Sequence, residues 1–218
     1  MACWAAAASN KAKQQSADTN NLSKVLFATS NDYKLLEARA ILPGLEWVSL
    51  DDFPQLKALD PAETGKTFAA NAELKAREYG EASQALTLAE DSGLEVAALG
   101  GEPGIHSARW VSGSDEDRYT TMLAKMAGEP DRSAQYVSVL CLYDPQSKQV
   151  EFFRGEVKGK IIDEPRGTGG FGYDPVFVPE GENRTFAELA VIDEKHQYSH
   201  RRHALDAFHA WWQQQQNG

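Results

Sequence analysis

The sequence predicts an α/β protein, and three observations carry that expectation. Val25-Leu26-Phe27-Ala28 is a continuous apolar run, typical of a strand covered on both faces. Strand-like and helix-like periodicities then alternate along the chain. Residues 135–143 and 149–157 alternate in polarity as two paired strands on either side of an Asp144-Pro145 turn.

Taken in order, the run at Val25 feeds a helix with apolar positions at Leu35, Leu36, Ala40 and Leu42, stopped by Pro43-Gly44. Residues 46–50 form the next strand. Residues 67–79 read as a helix with Phe68, Ala72, Ala76 and Tyr79 on one face and Gly80 as its C-terminal stop. Residues 85–89 form a buried strand that Glu90-Asp91-Ser92-Gly93 brings to an end. Residues 115–127 are helical with Tyr119, Met122, Leu123 and Met126 inward. After the paired strands come a short strand at residues 176–178 and a closing helix at 199–212. In that helix Ala204, Leu205, Phe208 and one of Trp211 or Trp212 belong to the core or to a subunit interface.

The ends differ from this pattern. Residues 1–23 lack a hydrophobic period, a basic segment followed by a long apolar one, or an Arg-rich amphipathic pattern. They read as a disordered extension rather than a targeting signal. Residues 24–212 form the folded domain, and the Gln213 to Gln216 run, within 213–218, reads as a flexible tail. A chain of 218 residues with 42 % hydrophobic and 25 % charged residues is ordinary for a soluble globular protein. The net charge of −10 argues against coating a nucleic-acid polymer, and no apolar run is long enough for a membrane span. Two cysteines, Cys3 and Cys141, lie outside any CxxC, which points to a reducing, cytoplasmic setting.

Three separated blocks carry the chemistry of a phosphate site. In the first, Asn31 is a natural N-cap, and a capping box would place Glu or Gln where Lys34 stands. A cation in the first turn opposes the helix dipole at a cost of a few tenths of a kcal/mol. Held together with the helix amides over an anion, the same cation becomes useful. In the second block, Glu90-Asp91 lies at the end of a buried strand, and two adjacent carboxylates repel each other unless a cation neutralises them. Mg²⁺ takes one or two carboxylates together with substrate phosphates, and Glu63 in the preceding loop is a further candidate ligand. The third block runs from Phe171-Gly172-Tyr173-Asp174 to Lys195 and Ser199-His200-Arg201. Ser199 caps the closing helix, and His200 and Arg201 again set cations in a first turn. Phe171 and Tyr173 supply rings able to stack a base, at least one of them belonging to the core.

Two motifs do not hold. Gly65-Lys66-Thr67 ends like a phosphate loop, but Asp60 occupies the position of its first glycine and Glu63 would repel phosphate. Gly167 to Gly172 fits GxGxxG by letter, yet Pro175 and Pro179 follow and the run reads as turn then strand.

The blocks together resemble the inosine-triphosphate pyrophosphatase family, from about Lys24 to Phe208. Ala28-Thr29-Ser30-Asn31 with Lys34 and Glu37 resembles its first motif. Glu63-Thr64-Gly65 with Thr67-Phe68, Asn71-Ala72 and Lys75-Ala76 resembles its second. Glu90-Asp91-Ser92-Gly93-Leu94 through Gly101, Pro103-Gly104 and Ser107-Ala108-Arg109 follows. So do Gly169 to Pro175, Thr185 to Leu189, Glu194-Lys195 and Ser199-His200-Arg201. His196 stands where the family often has Asn. The resemblance implies an elongated, two-lobed α/β fold with a long mixed sheet flanked by helices, a cleft between the lobes, and a homodimer.

It further implies that Thr29, Ser30, Asn31, Asp32, Tyr33 and Lys34 hold the triphosphate of a purine nucleotide. Ser92, Phe171, Gly172, Tyr173, Asp174, Lys195, His200 and Arg201 would contact substrate. Asp91 would be the proton acceptor and a Mg²⁺ ligand, with Glu63 as second ligand. The expected reaction is attack of water on the α-phosphorus of ITP, dITP or XTP, giving a monophosphate and pyrophosphate. Lys34 and Lys195 would stabilise the leaving group, and a donor fork from Arg201, with His200, would read the purine 6-oxygen. A related pyrophosphatase acting on dTTP or UTP and a catalytically inactive nucleotide binder are the alternatives.

Overall fold

A computed structural model of the chain describes residues 24–56, 58–191 and 193–217; the extension expected over 1–23 lies outside the described residues. Strand β1 (Lys24–Phe27) leads into helix α1 (Asp32–Ile41) and strand β2 (Glu46–Val48). Helix α2 (Phe68–Ser83) precedes β3 (Thr87–Val96), and α3 (Asp115–Lys125) precedes the long strands β4 (Ser133–Tyr143) and β5 (Val150–Ile161). Strand β6 (Phe177–Pro179) is followed by α4 (Phe186–Val191), α5 (Lys195–Tyr198) and α6 (His200–Asn217). The six strands form one mixed sheet in the order β2-β1-β3-β4-β5-β6. β1 runs parallel to both β2 and β3, and the remaining pairs are antiparallel.

The long strands carry cores at both ends. At one end α1 and α6 cover one face with Ala38, Ile41, Leu205, Phe208 and Trp212 against Phe27, Leu88 and Phe153. There α2 covers the opposite face with Ala72, Ala76 and Tyr79 against Leu26, Ala89 and Cys141. At the other end Leu94, Val96, Tyr136, Ile161 and Phe177 pack with Met122 of α3 and with Phe186 and Leu189 of α4. Each large side chain so buried contributes about 1.5–3 kcal/mol. Between the two cores, β3 and β4 present a buried polar waist of Glu90, Asp91 and Ser138. This is the two-lobed α/β architecture, with its polar residues gathered where the lobes meet.

Several local expectations are revised. In α1 the inward positions are Leu35, Ala38 and Ile41, whereas Leu36 and Ala40 face solvent. Gly80 does not stop α2; the helix continues to Ser83, and Gln84 takes the left-handed cap at φ 55°. Gly80 is instead a contact glycine, because a Cβ there would lie 2.5 Å from the Tyr143 ring. β3 does not end at Ala89 but passes through Glu90-Asp91-Ser92-Gly93 to Val96, zipped against β4 throughout. The glutamines of the expected tail continue α6 to Asn217, consistent with the good helix propensity of Gln. Of the two closing tryptophans, Trp212 is the one fully packed in the core.

Candidate active site

The site grows from the end of β1. β1 pairs with β3 only as far as Phe27 and Leu88, while β3 continues with β4 on its other side. One edge of residues 90–93 therefore has no strand partner among the described residues. The chain leaving β1 turns over this edge: the Thr29 hydroxyl accepts the Asn31 amide at 3.1 Å. Asn31 Oδ1 in turn accepts the amides of Tyr33 at 3.0 Å and Lys34 at 3.4 Å, as expected of an Asn N-cap. Ser30 and Asp32 sit exposed on the rim. Lys34 reaches inward, its Nζ 4.0 Å from Glu90 Oε1. Burial draws the Lys34 ammonium below its ordinary pKa, opposed by Glu90.

Successive residues of a strand point to opposite faces, and this separates the two acids that looked like one repelling pair. Asp91 faces α2, where it accepts from Asn71 Nδ2 at 3.1 Å and Lys75 Nζ at 3.2 Å. The same ammonium holds Glu63 Oε1 at 2.6 Å, and Arg109 pairs with the other Glu63 oxygen. Burial raises the Asp91 carboxyl; Lys75 and Asn71 oppose the rise and Glu63 adds to it. Two carboxylates converging on one cation present hard oxygen donors, a set that suits Mg²⁺ if substrate phosphates complete the shell. Among the described residues no cluster of three or more His, Cys, Asp or Glu forms a metal cage by itself.

Glu90 faces α6. Arg201 grips it with Nε–Oε2 at 2.8 Å and Nη2–Oε1 at 2.9 Å, and the Ser138 hydroxyl donates at 3.0 Å. The remaining Arg201 nitrogen, Nη1, pairs with Glu37. Burial pushes Glu90 and Glu37 up, yet their cations outweigh it and leave both carboxyls below the ordinary range. The guanidinium is fully buried and all its nitrogens are engaged with carboxylates. The donor fork expected toward the purine is thus closed on Glu90 and Glu37 in this structure, with the guanidinium carbon 5.9 Å from the Phe171 centroid. Glu90 is fully engaged by the same cation and by Ser138.

A cleft of about 280 Å³ opens on the Glu90 side of β3, floored by Ser92 and Gly93. Gly93 is required there: a Cβ would lie 2.2 Å from Gly104 O and 2.5 Å from Ser107 Oγ. The walls come from α1, the turn before β6 and the last two helices. Phe171 stacks on Tyr33 with ring centroids 5.6 Å apart and planes at 23°. Lys195 Nζ stands 4.5 Å from the Phe171 centroid and pairs with Asp174 at 2.7 Å and Glu37 at 3.1 Å. Asp174 also accepts the Phe171 amide at 2.9 Å, and Gly172 donates its amide to Asp115 at 2.7 Å. Tyr173 is mostly core, its hydroxyl donating to Ser107 O at 3.0 Å. His200 stacks on Tyr136 with centroids 4.7 Å apart, and its Nδ1 is buried without a partner. Burial and Arg201 drive its pKa well down.

The fold thus brings Asn31, Tyr33, Lys34, Ser92, Lys195, His200 and the 171–174 turn onto one cleft. Asp91 and Glu63 meet on the opposite side of the same stretch of strand, beside the open edge. Lys195 lies in the aromatic wall, paired with Asp174 and Glu37, rather than beside Glu63 and Asp91. Asp115, Arg118 and Tyr136 also line the cleft, and sequence reasoning missed them. Asp115 reads locally as a first-turn helix acid, and Tyr136 as one residue of an alternating strand. A wider groove of about 720 Å³ over Lys158, Lys160 and Glu180 contains none of these residues.

The Ham1 family model matches residues 25–211. A protein of Symbiobacterium thermophilum named dITP/XTP pyrophosphatase is 50 % identical over 187 residues, covering 84 % of this chain and 91 % of its own. A Deinococcus radiodurans protein of the same name is 43 % identical over 189 residues, covering 84 % and 90 %. Among solved structures, the Staphylococcus aureus Ham1 protein superposes with a TM-score of 0.79 at 36 % identity, over 88 % of this chain and 99 % of that one. The Mycobacterium abscessus nucleoside-triphosphatase / dITP/XTP pyrophosphatase gives 0.65 at 40 % identity, over 78 % and 90 %. The match in sequence runs from β1 into α6, through every element that builds the cleft, and the chain belongs to the Ham1 family.

Proposed function

We propose that this protein hydrolyses deaminated purine nucleoside triphosphates, ITP, dITP and XTP, to the monophosphate and pyrophosphate. The observation that carries this reading is the arrangement around the open edge of β3. An aromatic cleft suited to a purine lies on one side, the Asp91–Glu63 carboxylate pair on the other, with Lys34 and the capped turn of α1 between them. The relatives named dITP/XTP pyrophosphatase support the substrate class.

Phe171 provides a face for the base. Two of the three Lys195 donors are held by Asp174 and Glu37; the third would favour the 6-oxygen of hypoxanthine or xanthine over the 6-amino group of adenine. Thr29, Ser30 and Asn31 shape the turn beside which the triphosphate lies. Lys34 and Lys75 would stabilise the developing negative charge. Asp91 accepts the proton of the attacking water. Asp91 and Glu63 would hold Mg²⁺, which when bound supplies Lewis-acid polarisation of the phosphate oxygens. Lys75, which pairs with both carboxylates, lies beside the position the metal would take. In this reading the protein acts in the cytoplasm as a homodimer.

The test is purified protein with a nucleotide panel, with and without Mg²⁺, and products resolved. ITP, dITP and XTP should give monophosphate and pyrophosphate only with a divalent metal. Orthophosphate and a diphosphate as first products would place attack on the γ-phosphorus. Preferred turnover of dTTP or UTP would move the protein to the other substrate class.

A further inference from the structure

Tyr33 lies between two residues of the capped turn, Asp32 and Lys34, yet its geometry is not that of a phosphate ligand. Its amide already donates to Asn31 Oδ1. The residue is 56 % exposed, and its ring stacks on Phe171. Tyr33 belongs to none of the core clusters, and its ring contact is with Phe171 of the cleft wall. The two plates differ in freedom. Phe171 is fixed by the Asp174 carboxylate on its amide and by Lys195 over its ring, while Tyr33 is tethered through its backbone alone among these contacts.

We propose that Tyr33 is a purine-stacking gate: its ring fills the slot beside Phe171 in the free protein and becomes the outer plate on the base when a nucleotide enters. This rests on the cleft being the base site. A centroid separation of 5.6 Å is too small for a third ring between the two, since neighbouring aromatic rings pack with centroids no closer than about 4.5 Å. Tyr33 must therefore swing outward, which its exposure permits. Phe171 remains as the fixed inner plate, so the purine ends between one rigid ring and one mobile ring. The contact is indifferent to the edge of the base, because every base has a π-face; it adds affinity, and discrimination stays with the donors around Phe171.

The test uses the full chain and equilibrium binding, so it does not depend on turnover. Inosine 5′-monophosphate and inorganic tripolyphosphate are titrated against the parent, Tyr33→Ala and Tyr33→Phe. Tyr33→Ala should weaken inosine monophosphate binding by about 10-fold while leaving tripolyphosphate binding unchanged, and Tyr33→Phe should restore the parent value. Equal weakening of both probes would make Tyr33 a phosphate-side residue, and unchanged inosine monophosphate binding would remove it from the site; either overturns the proposal. An unchanged melting temperature in Tyr33→Ala is expected and keeps folding out of the comparison. A parent that binds inosine monophosphate but does not cleave ITP would sink the assigned reaction and leave the gate standing.

Discussion

Arg201 closes a two-point grip on Glu90 across 111 residues of chain, Nε to Oε2 at 2.8 Å and Nη2 to Oε1 at 2.9 Å, with neither side chain exposed. The pair joins α6 to the polar waist of β3. Removing one partner leaves the other as an uncompensated buried charge, which costs about 3–5 kcal/mol. Arg201→Ala should accordingly lower the melting temperature by on the order of 10 °C. The ITP-to-ATP ratio of kcat/KM should stay close to the parent in whatever folded fraction remains. Lys cannot reproduce a planar fork, so Arg201→Lys should not rescue stability. A stable Arg201→Ala protein whose ITP preference has collapsed would return Arg201 to the base.

Asp91 and Glu63 share the Lys75 ammonium, but only Asp91 is placed here as the proton acceptor. Asp91→Asn should lose at least ~10²-fold in kcat, because it removes a base and weakens the metal site together. Glu63→Gln should chiefly raise the Mg²⁺ concentration needed for half-maximal rate. Near-normal turnover by Asp91→Asn at saturating Mg²⁺ would take Asp91 out of the reaction.

Glu37 makes stability depend on acid. Burial alone would raise its carboxyl, but Arg201 and Lys195 hold it down to about 2. A depressed carboxyl contributes stability that is complete above its unfolded pKa, near 4.3, and is lost as pH falls through the folded value. The shift corresponds to about 3 kcal/mol. Unfolding free energy should fall between about pH 4.5 and 2, and Glu37→Gln should flatten that part of the curve while lowering stability at neutral pH. Denaturant unfolding at a series of pH values tests it, and an unchanged acid limb in Glu37→Gln would rule out this carboxylate as the source.

What the sequence by itself determined was set by contacts within a few residues. Asn31 caps α1 because its side chain reaches amides two and three positions on, and Ser199 accepts the Arg202 amide at 3.1 Å for the same reason. The β4–β5 hairpin was legible in two strand-like runs on either side of Asp144-Pro145, although β4 is buried almost throughout rather than alternating, and the chemical inventory in the types of residue present. The end of β3 was not legible, since Glu-Asp-Ser-Gly has the composition of a turn and becomes a strand only when β4 zips along it. Tertiary structure alone decided the partners of the charges. Alternation along β3 sends Asp91 to Lys75 of α2 and Glu90 to Arg201 of α6, partners 16 and 111 residues away. Burial then separates the groups: the nitrogens of Arg201 all meet carboxylates, whereas Tyr33 stays exposed against Phe171. Local sequence names the groups available, but a charge or a ring acquires its function from the neighbours that folding places against it.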